Sequence, residues 1–168
     1  MSSWRALQEE LDIWLSLGRV ATLWWRDDDL NEPTDAFDRL LELRNHLDIP
    51  LTLAVIPDNV DPYIGEHLTG CELVQHGVTH HSHAKAGDKK SEFPDERPIE
   101  EIVAELNIGK GRLVDLFGDD FFPFLVPPWN RISETCLKQL PKLGYAGVSR
   151  VKSREKAAPF PNFAEVNT

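Results

Sequence analysis

The chain has 168 residues, of which 41% are hydrophobic and 27% charged, so it can bury one globular core without disulfide or metal staples. Its 18 Lys and Arg residues stand against 28 Asp and Glu residues, and the net charge of −10 argues against nucleic-acid and membrane-surface binding. Cys71 and Cys136 form no Cys-x-x-Cys motif, so neither a thiolate zinc knuckle nor a disulfide framework is expected.

The amino-terminal sequence predicts a cytoplasmic location. Glu9 and Glu10 occupy positions where a signal peptide needs an apolar core. The longest apolar stretches are far below the roughly 20 residues of a membrane span. We therefore expect a cytoplasmic protein with a single domain over residues 1–168, and the sequence leaves its oligomeric state open.

Helices and strands alternate along the chain. Helices are predicted at 4–17, from Thr34 to Leu47, near 61–68, from Pro98 to Phe117, and from Ser133 to Gly144. Strands are predicted at Val20–Trp25, Leu51–Ile56, Glu72–Gln75, Phe122–Val126 and Tyr145–Ser149, and the last Pro-rich segment leads toward another. This alternation predicts a parallel sheet with crossover helices, an α/β fold that is either doubly wound or a barrel.

Acidic residues follow the first predicted strand as Arg26-Asp27-Asp28-Asp29. Ligands gather at the carboxyl ends of strands in both α/β architectures, so this triplet would lie on the functional rim. Like charges this close raise each other's pKa unless a cation lies among them. An exposed acidic turn before the Thr34 helix is the alternative interpretation.

Two histidines follow the third predicted strand in the sequence His76-Gly-Val-Thr-His80. On an extended strand their side chains would be about 13 Å apart, too far to share a metal, so we expect a helical turn, which Gly77 permits. The His-Glu-x-x-His zinc-protease motif is excluded because Gly77 stands where it requires a glutamate. His81 and His83 are interpreted as solvated residues, or as metal ligands in place of His76 and His80.

Two imidazoles and one carboxylate form a three-ligand set that leaves metal positions open for water. A second carboxylate beside them can act as a base, and together these groups are sufficient for metal-assisted hydrolysis. A phosphate-binding α/β domain is disfavoured because no Gly-rich loop follows any predicted strand.

The order of these motifs resembles the polysaccharide deacetylase family, the chitooligosaccharide deacetylase-like carbohydrate esterases. The resemblance covers residues 20–150 and includes the turn Pro127-Pro128-Trp129 after the fourth strand. It implies a distorted (β/α) barrel, incomplete in this chain, that binds a divalent metal, Zn²⁺, and removes acetyl groups from sugars.

The resemblance also assigns roles to individual residues. Asp28 becomes the catalytic base, while Asp29, His76 and His80 become the metal ligands. An alternative register makes Asp27 the base and Asp28 the ligand. The substrate groove would be walled by the turn after the fourth strand, through Pro128, Trp129 and Arg131, although Trp129 is equally compatible with a core position.

Several features depart from the family pattern. Val126 stands where the family has an arginine, for which Arg131 is a candidate substitute, and no histidine after His83 can supply the general acid. We therefore expect a truncated fragment with weak or absent activity. The alternatives are a metal-dependent hydrolase of small amides or ureides, which a cytoplasmic location favours, and a non-catalytic saccharide-binding relative.

Overall fold

The computed structural model of the chain describes residues 3–68, 70–151 and 157–167. Its strands are β1 (Arg26–Leu30), β2 (Leu51–Val55), β3 (Cys71–His76), β4 (Phe121–Val126), β5 (Gly147–Arg150) and β6 (Ala164–Asn167). Its α-helices are α1 (Ser3–Ser16), α2 (Asp35–Leu47), α3 (Ile99–Phe117) and α4 (Glu134–Leu137). Short 3-10 helices span Pro62–His67, Gly118–Asp120, Pro128–Asn130 and Leu140–Leu143.

All six strands are parallel and lie in the sheet in sequence order, from β1 to β6. This order is typical of a (β/α) barrel, since a doubly wound sheet reverses its strand order at a switch point. Within the described residues β1 and β6 form the two edges. The predicted α/β class is therefore confirmed, and the strand order favours the barrel alternative.

The sheet is strongly curved. In a flat sheet β1 and β5 would be about 19 Å apart, because neighbouring strands are spaced by about 4.8 Å. Arg26 of β1 nevertheless donates a 2.8 Å hydrogen bond from Nη1 to Oγ of Ser149 in β5. The concave face must therefore bring these two strands within reach of one side chain, as a barrel does.

Apolar residues pack on both faces of this sheet. The concave face carries a small buried cluster, which consists of Ala54, Val74, Phe124 and Val126. Two larger clusters join the opposite face to the helices, and alternate strand residues such as Leu53, Leu73 and Leu125 belong to them.

The first strand lies later than the sequence predicted. Residues 20–25 form no strand, and Val20 and Leu23 are 85% and 79% exposed. A strand requires a hydrogen-bonded neighbour, and β2 provides its first partner for Arg26 at Thr52. The prediction of a strand at Val20–Trp25 was therefore wrong, and the acidic triplet belongs to β1 itself.

The predicted helix from Ser133 to Gly144 is also interrupted. Ser133 caps its start by accepting a hydrogen bond from the N–H of Cys136, but α4 ends at Leu137. The chain continues as a separate 3-10 helix that contains Pro141, which has no N–H to extend an α-helix. The other predicted helices and strands are confirmed to within a few residues.

No helix in the described ranges combines the length and apolar character needed to cross a bilayer. The amphipathic helix α1 forms as predicted, although several of its apolar side chains are exposed, including Trp4 and Leu15.

Candidate metal centre

A bulge in β1 directs the acidic residues to different partners. The pairing of β1 with β2 shifts register between Asp27 and Leu30, and Asp29 adopts a positive φ of 67°. Non-glycine residues adopt this conformation infrequently, although Asp tolerates it better than most. As a result Asp29 contacts the end of β3, while Asp28 contacts Arg26.

Asp29, His76 and His80 each bring one potential ligand atom to a common point. Oδ1 of Asp29 lies 2.9 Å from Nε2 of His76 and 3.0 Å from Nε2 of His80. All three ligand atoms lie within 4.8 Å of one another. The His76 side chain is buried, whereas 28% of His80 and 63% of Asp29 are exposed, so the group is reachable from solvent.

The environment of His76 is suited to a metal ligand. Its Nδ1 donates a 2.9 Å hydrogen bond to the Val126 carbonyl, which leaves the lone pair on Nε2. That Nε2 is buried and lacks a hydrogen-bond partner in the described structure, since with the proton on Nδ1 neither Nε2 nor the Asp29 oxygen 2.9 Å away has a hydrogen to donate. A buried acceptor that faces a carboxylate oxygen, with a second imidazole beside both, fits a cation.

Burial also favours the neutral form of His76. It lowers the pKa of the imidazole, and this effect outweighs the opposing influence of Asp28 and Asp29, whose negative charges raise the pKa. A neutral imidazole is the form that ligates metal ions. The ring therefore stays available as a ligand at a lower pH than an exposed histidine would.

The turn between the two histidines differs from the prediction. Strand β3 continues through His76, and residues 77–80 then form a non-helical bend in which Gly77 and His80 both have φ of 58°. The expectation of a helical turn was wrong. The bend still brings the imidazole rings together, with their centroids 5.1 Å apart.

Asp28 is held by a two-point ion pair with Arg26. Nε and Nη2 of Arg26 lie 2.6 Å and 2.9 Å from the two carboxylate oxygens. The guanidinium also bonds Asn130 at 3.2 Å and lies 4.8 Å from the Trp24 ring centroid. Its side chain is only 8% exposed, so Arg26 is a nearly buried cation beside the candidate base.

From the sequence, Arg26 was expected only to neutralise one of the three acids, with no role in the site. Arg131 was named as a substitute for the missing arginine, but Arg131 donates to the Lys90 carbonyl at 3.3 Å, and Arg26 is the residue that pairs with Asp28. The available signal was the i, i+2 spacing of Arg26 and Asp28, which places both on one face of a strand.

The other candidate residues lie outside the three-ligand group. Asp27 has a pKa raised first by desolvation and then by the charges of Asp28 and Asp29. The rings of His81 and His83 lie 5.5 Å apart, beyond the group formed by Asp29, His76 and His80. The three residues that the structure brings together, Asp29, His76 and His80, are those that the first register names as ligands.

The turn after β4 borders the candidate metal centre. Pro128 is buried, and the half-buried Trp129 has its ring centroid 4.8 Å from that of His80. Nζ of Lys90 lies 5.7 Å from the same Trp129 ring. Next to this turn is a cavity of about 540 Å³, which is lined by residues that include Lys89, Ser91, Asn130, Arg131 and Arg150.

Solved structures of carbohydrate deacetylases and esterases share this fold. The Streptococcus pyogenes deacetylase PplD, in complex with acetate, has a TM-score of 0.65 and 17% identity over 100% of this chain and 73% of its own. IcaB from Ammonifex degensii has a TM-score of 0.70 and 13% identity over 89% of this chain and 69% of the IcaB chain. The family 4 carbohydrate esterase from Streptomyces lividans, in complex with acetate, has a TM-score of 0.59 and 14% identity over 79% of this chain and 62% of the esterase chain.

A scan against protein-family models and a search of curated proteins gave no match. At these low identities the structural similarity shows the fold alone. The predicted distorted barrel of the polysaccharide deacetylase type, and the resemblance from which it came, are confirmed at that level.

Proposed function

We propose that this chain is a metal-dependent deacetylase of the polysaccharide deacetylase family that removes acetyl groups from N- or O-acetylated sugars. The observation that carries the proposal is the convergence of Asp29, His76 and His80, with Asp28 in the same strand as Asp29. Support also comes from the fold, which resembles that of carbohydrate deacetylases and esterases.

In this proposal Asp29, His76 and His80 hold a divalent cation, for which Zn²⁺ is the best match to two imidazoles and one carboxylate. When bound, the cation supplies a Lewis acid that polarises the acetyl carbonyl and lowers the pKa of water. His76 contributes a neutral Nε2, because its Nδ1 proton is committed to Val126. The exposed sides of His80 and Asp29 leave room for substrate.

Asp28 acts as the base in this mechanism. It takes a proton from the attacking water as the C–O bond to the acetyl carbon forms, while Arg26 keeps its carboxylate in one orientation. We assign to the protonated Asp28 the return of that proton to the leaving nitrogen or oxygen, so that acetate and the free amine or alcohol result.

The proposal assigns the substrate groove to Pro128, Trp129 and Arg131, at the edge of the 540 Å³ cavity. Trp129 offers a partly exposed aromatic face on which a sugar ring can stack, and it lies against His80. A sugar ring stacked on Trp129 would lie beside His80, one of the candidate metal ligands.

Turnover of an acetylated amino-sugar reporter by the Zn²⁺-loaded protein tests this function. A chelator should abolish turnover, and Asp28→Asn should lower kcat by about 10²- to 10⁴-fold, the usual contribution of a general base. The matched control is Asp119→Asn, the same change at an exposed site in the Gly118–Asp120 helix, and it should leave kcat unchanged. Equal turnover in the presence of chelator, or in Asp28→Asn, would contradict the mechanism.

The same assay separates the alternative substrates. A cytoplasmic location, which stays a prediction, favours small linear or cyclic amides, and these are tested in parallel with acetylated sugars. Hydrolysis of amides alone would change the substrate class while keeping the metal centre. Saccharide binding without any hydrolysis by the metal-loaded protein would indicate the non-catalytic relative.

A further inference from the structure

Glu92 is a carboxylate buried directly beneath the turn that joins the two candidate histidine ligands. Its side chain is 0% exposed. Its Oε1 accepts hydrogen bonds from the N–H groups of Thr79 at 2.8 Å and Val78 at 3.1 Å, and from the Thr79 hydroxyl at 3.2 Å. Burying a carboxylate is costly unless it is hydrogen-bonded, so these contacts are the evident reason for its position.

The backbone of this turn is otherwise satisfied by neighbouring elements. The Gly77 N–H donates to Val126 at 3.1 Å, and the Gly77 carbonyl accepts from Nε2 of Gln75 at 2.8 Å. The Val78 carbonyl accepts from the N–H of Asp58 at 3.0 Å. Because residues 77–79 separate the two histidines, the conformation of these three residues sets the distance between the imidazoles.

The backbone around Glu92 is itself anchored. The loop that precedes it is closed by a 2.9 Å hydrogen bond from the N–H of His83 to the carbonyl of Ser91. Arg97 donates to the Glu92 carbonyl at 3.3 Å, and the buried Phe93 accepts a hydrogen bond from Ser133 at 3.0 Å. Glu92 therefore connects the turn after β3 to a fixed part of the structure.

We propose that Glu92 is a positioning residue of the metal centre, which holds residues 77–79 in the bend that places His80 beside His76 and Asp29. This inference rests on the proposed metal-dependent function. Glu92 is not one of the three ligand residues and acts only through the turn. Glu92 accepts hydrogen bonds from the backbone of Val78 and Thr79. Without these two contacts, His80 would be free to leave its positive φ of 58°, which non-glycine residues rarely adopt.

Glu92→Gln tests the role because it keeps the size of the side chain but replaces one acceptor oxygen with an N–H donor. That donor would face the N–H of Val78 in either orientation of the amide, because this N–H lies 3.1 Å from Oε1 and 3.3 Å from Oε2. The variant should bind Zn²⁺ about 10- to 100-fold more weakly in competition with a chromophoric chelator, the usual effect of losing a contact that orients a ligand. Its Co²⁺ complex should also have an altered visible absorption spectrum. The matched control is Glu96→Gln, which neutralises a nearby exposed carboxylate paired with Lys85 and should change neither measurement.

Two further measurements keep the outcomes distinct. If the wild-type protein binds Zn²⁺ and Glu92→Gln binds it equally well with the same Co²⁺ spectrum, the positioning role fails and the proposed function stands. If the wild-type protein binds neither ion, both proposals fail. If Glu92→Gln does not fold, hydrogen exchange of the metal-free wild-type protein decides: protected amides at Val78 and Thr79 support the role, and unprotected amides overturn it.

Discussion

Four of the six described non-glycine residues with positive φ lie at or beside the candidate metal centre. Asp29, His80, Trp129 and Asn130 have φ between 53° and 67°, and all four lie at the ends of β1, β3 and β4. Each such conformation costs on the order of 1–3 kcal/mol and persists only when the surrounding structure enforces it. This backbone strain lies where the candidate ligand atoms come together. The local geometry therefore favours the site at the expense of the stability of the fold.

The ion pair of Arg26 with Asp28 is expected to support turnover by orienting the candidate base. Arg26→Met should lower kcat by about 10- to 100-fold at unchanged metal content, because a base that loses its two-point anchor spends less time in the productive orientation. Steady-state kinetics with metal analysis of the same samples would measure both quantities.

The control for this variant is Arg5→Met. Arg5 forms an exposed ion pair with Glu9 at 2.9 Å, and such pairs contribute little to stability. The control should retain full kcat. An Arg26→Met variant that is as active as the wild type would show that Asp28 needs no such anchor.

The turn after β3 is the element on which the arrangement depends. Gly77 combines a positive φ of 58° with close packing, since a Cβ atom there would overlap the Glu92 carboxylate and approach Pro128 to 2.7 Å. This glycine therefore allows both the bend and the contact between the turns after β3 and β4. Gly111 in helix α3 differs from Gly77 in both respects. Its φ is not positive, and a Cβ atom added there would have no neighbour within 4 Å.

Gly77→Ala should consequently lower the free energy of unfolding by about 2–4 kcal/mol, from the left-handed backbone and the overpacking together. Gly111→Ala should raise it by about 0.5–1 kcal/mol, because alanine favours a helix interior. Urea unfolding of both variants measures these changes. Similar effects of the two substitutions would contradict the account of the turn.

The candidate ligands come from the ends of two strands that do not pair with each other. Asp29 belongs to β1 and His76 to β3, with β2 between them. A cation bound by these residues would bridge the curved sheet on its concave side. Only the folded chain presents the three atoms together, so metal binding should stabilise the fold.

Zn²⁺ at about 100 times its dissociation constant should therefore raise Tm by about 5–10 °C, which corresponds to about 2.7 kcal/mol in a domain of this size. A chelator should reverse the shift. Mg²⁺ should produce no comparable shift, because it prefers oxygen ligands to imidazoles. An equal shift by Zn²⁺ in the Asp29→Ala, His76→Ala double variant would locate the binding elsewhere.

Several features of this protein could be predicted from local sequence patterns. The N-cap at Thr34, the apolar β2 strand and the long helix α3 all follow from short-range signals, and the structure confirms them. The alternation of these elements was sufficient to predict a parallel α/β sheet. The order of the Asp and His motifs led to Asp28, Asp29, His76 and His80 as candidates, whose catalytic and ligand roles stay predictions.

Other features depended on contacts between distant parts of the chain. The position of β1 is set by where β2 offers hydrogen-bond partners, so the apolar residues 20–25 could not by themselves form the strand. The choice among the three acids depends on a bulge, and the pairing of Arg26 with Asp28 is reinforced by Ser149, which lies 123 residues away in the sequence. Sequence patterns report on local conformation and burial, whereas the direction of a side chain at the end of a strand is determined by its neighbours in three dimensions.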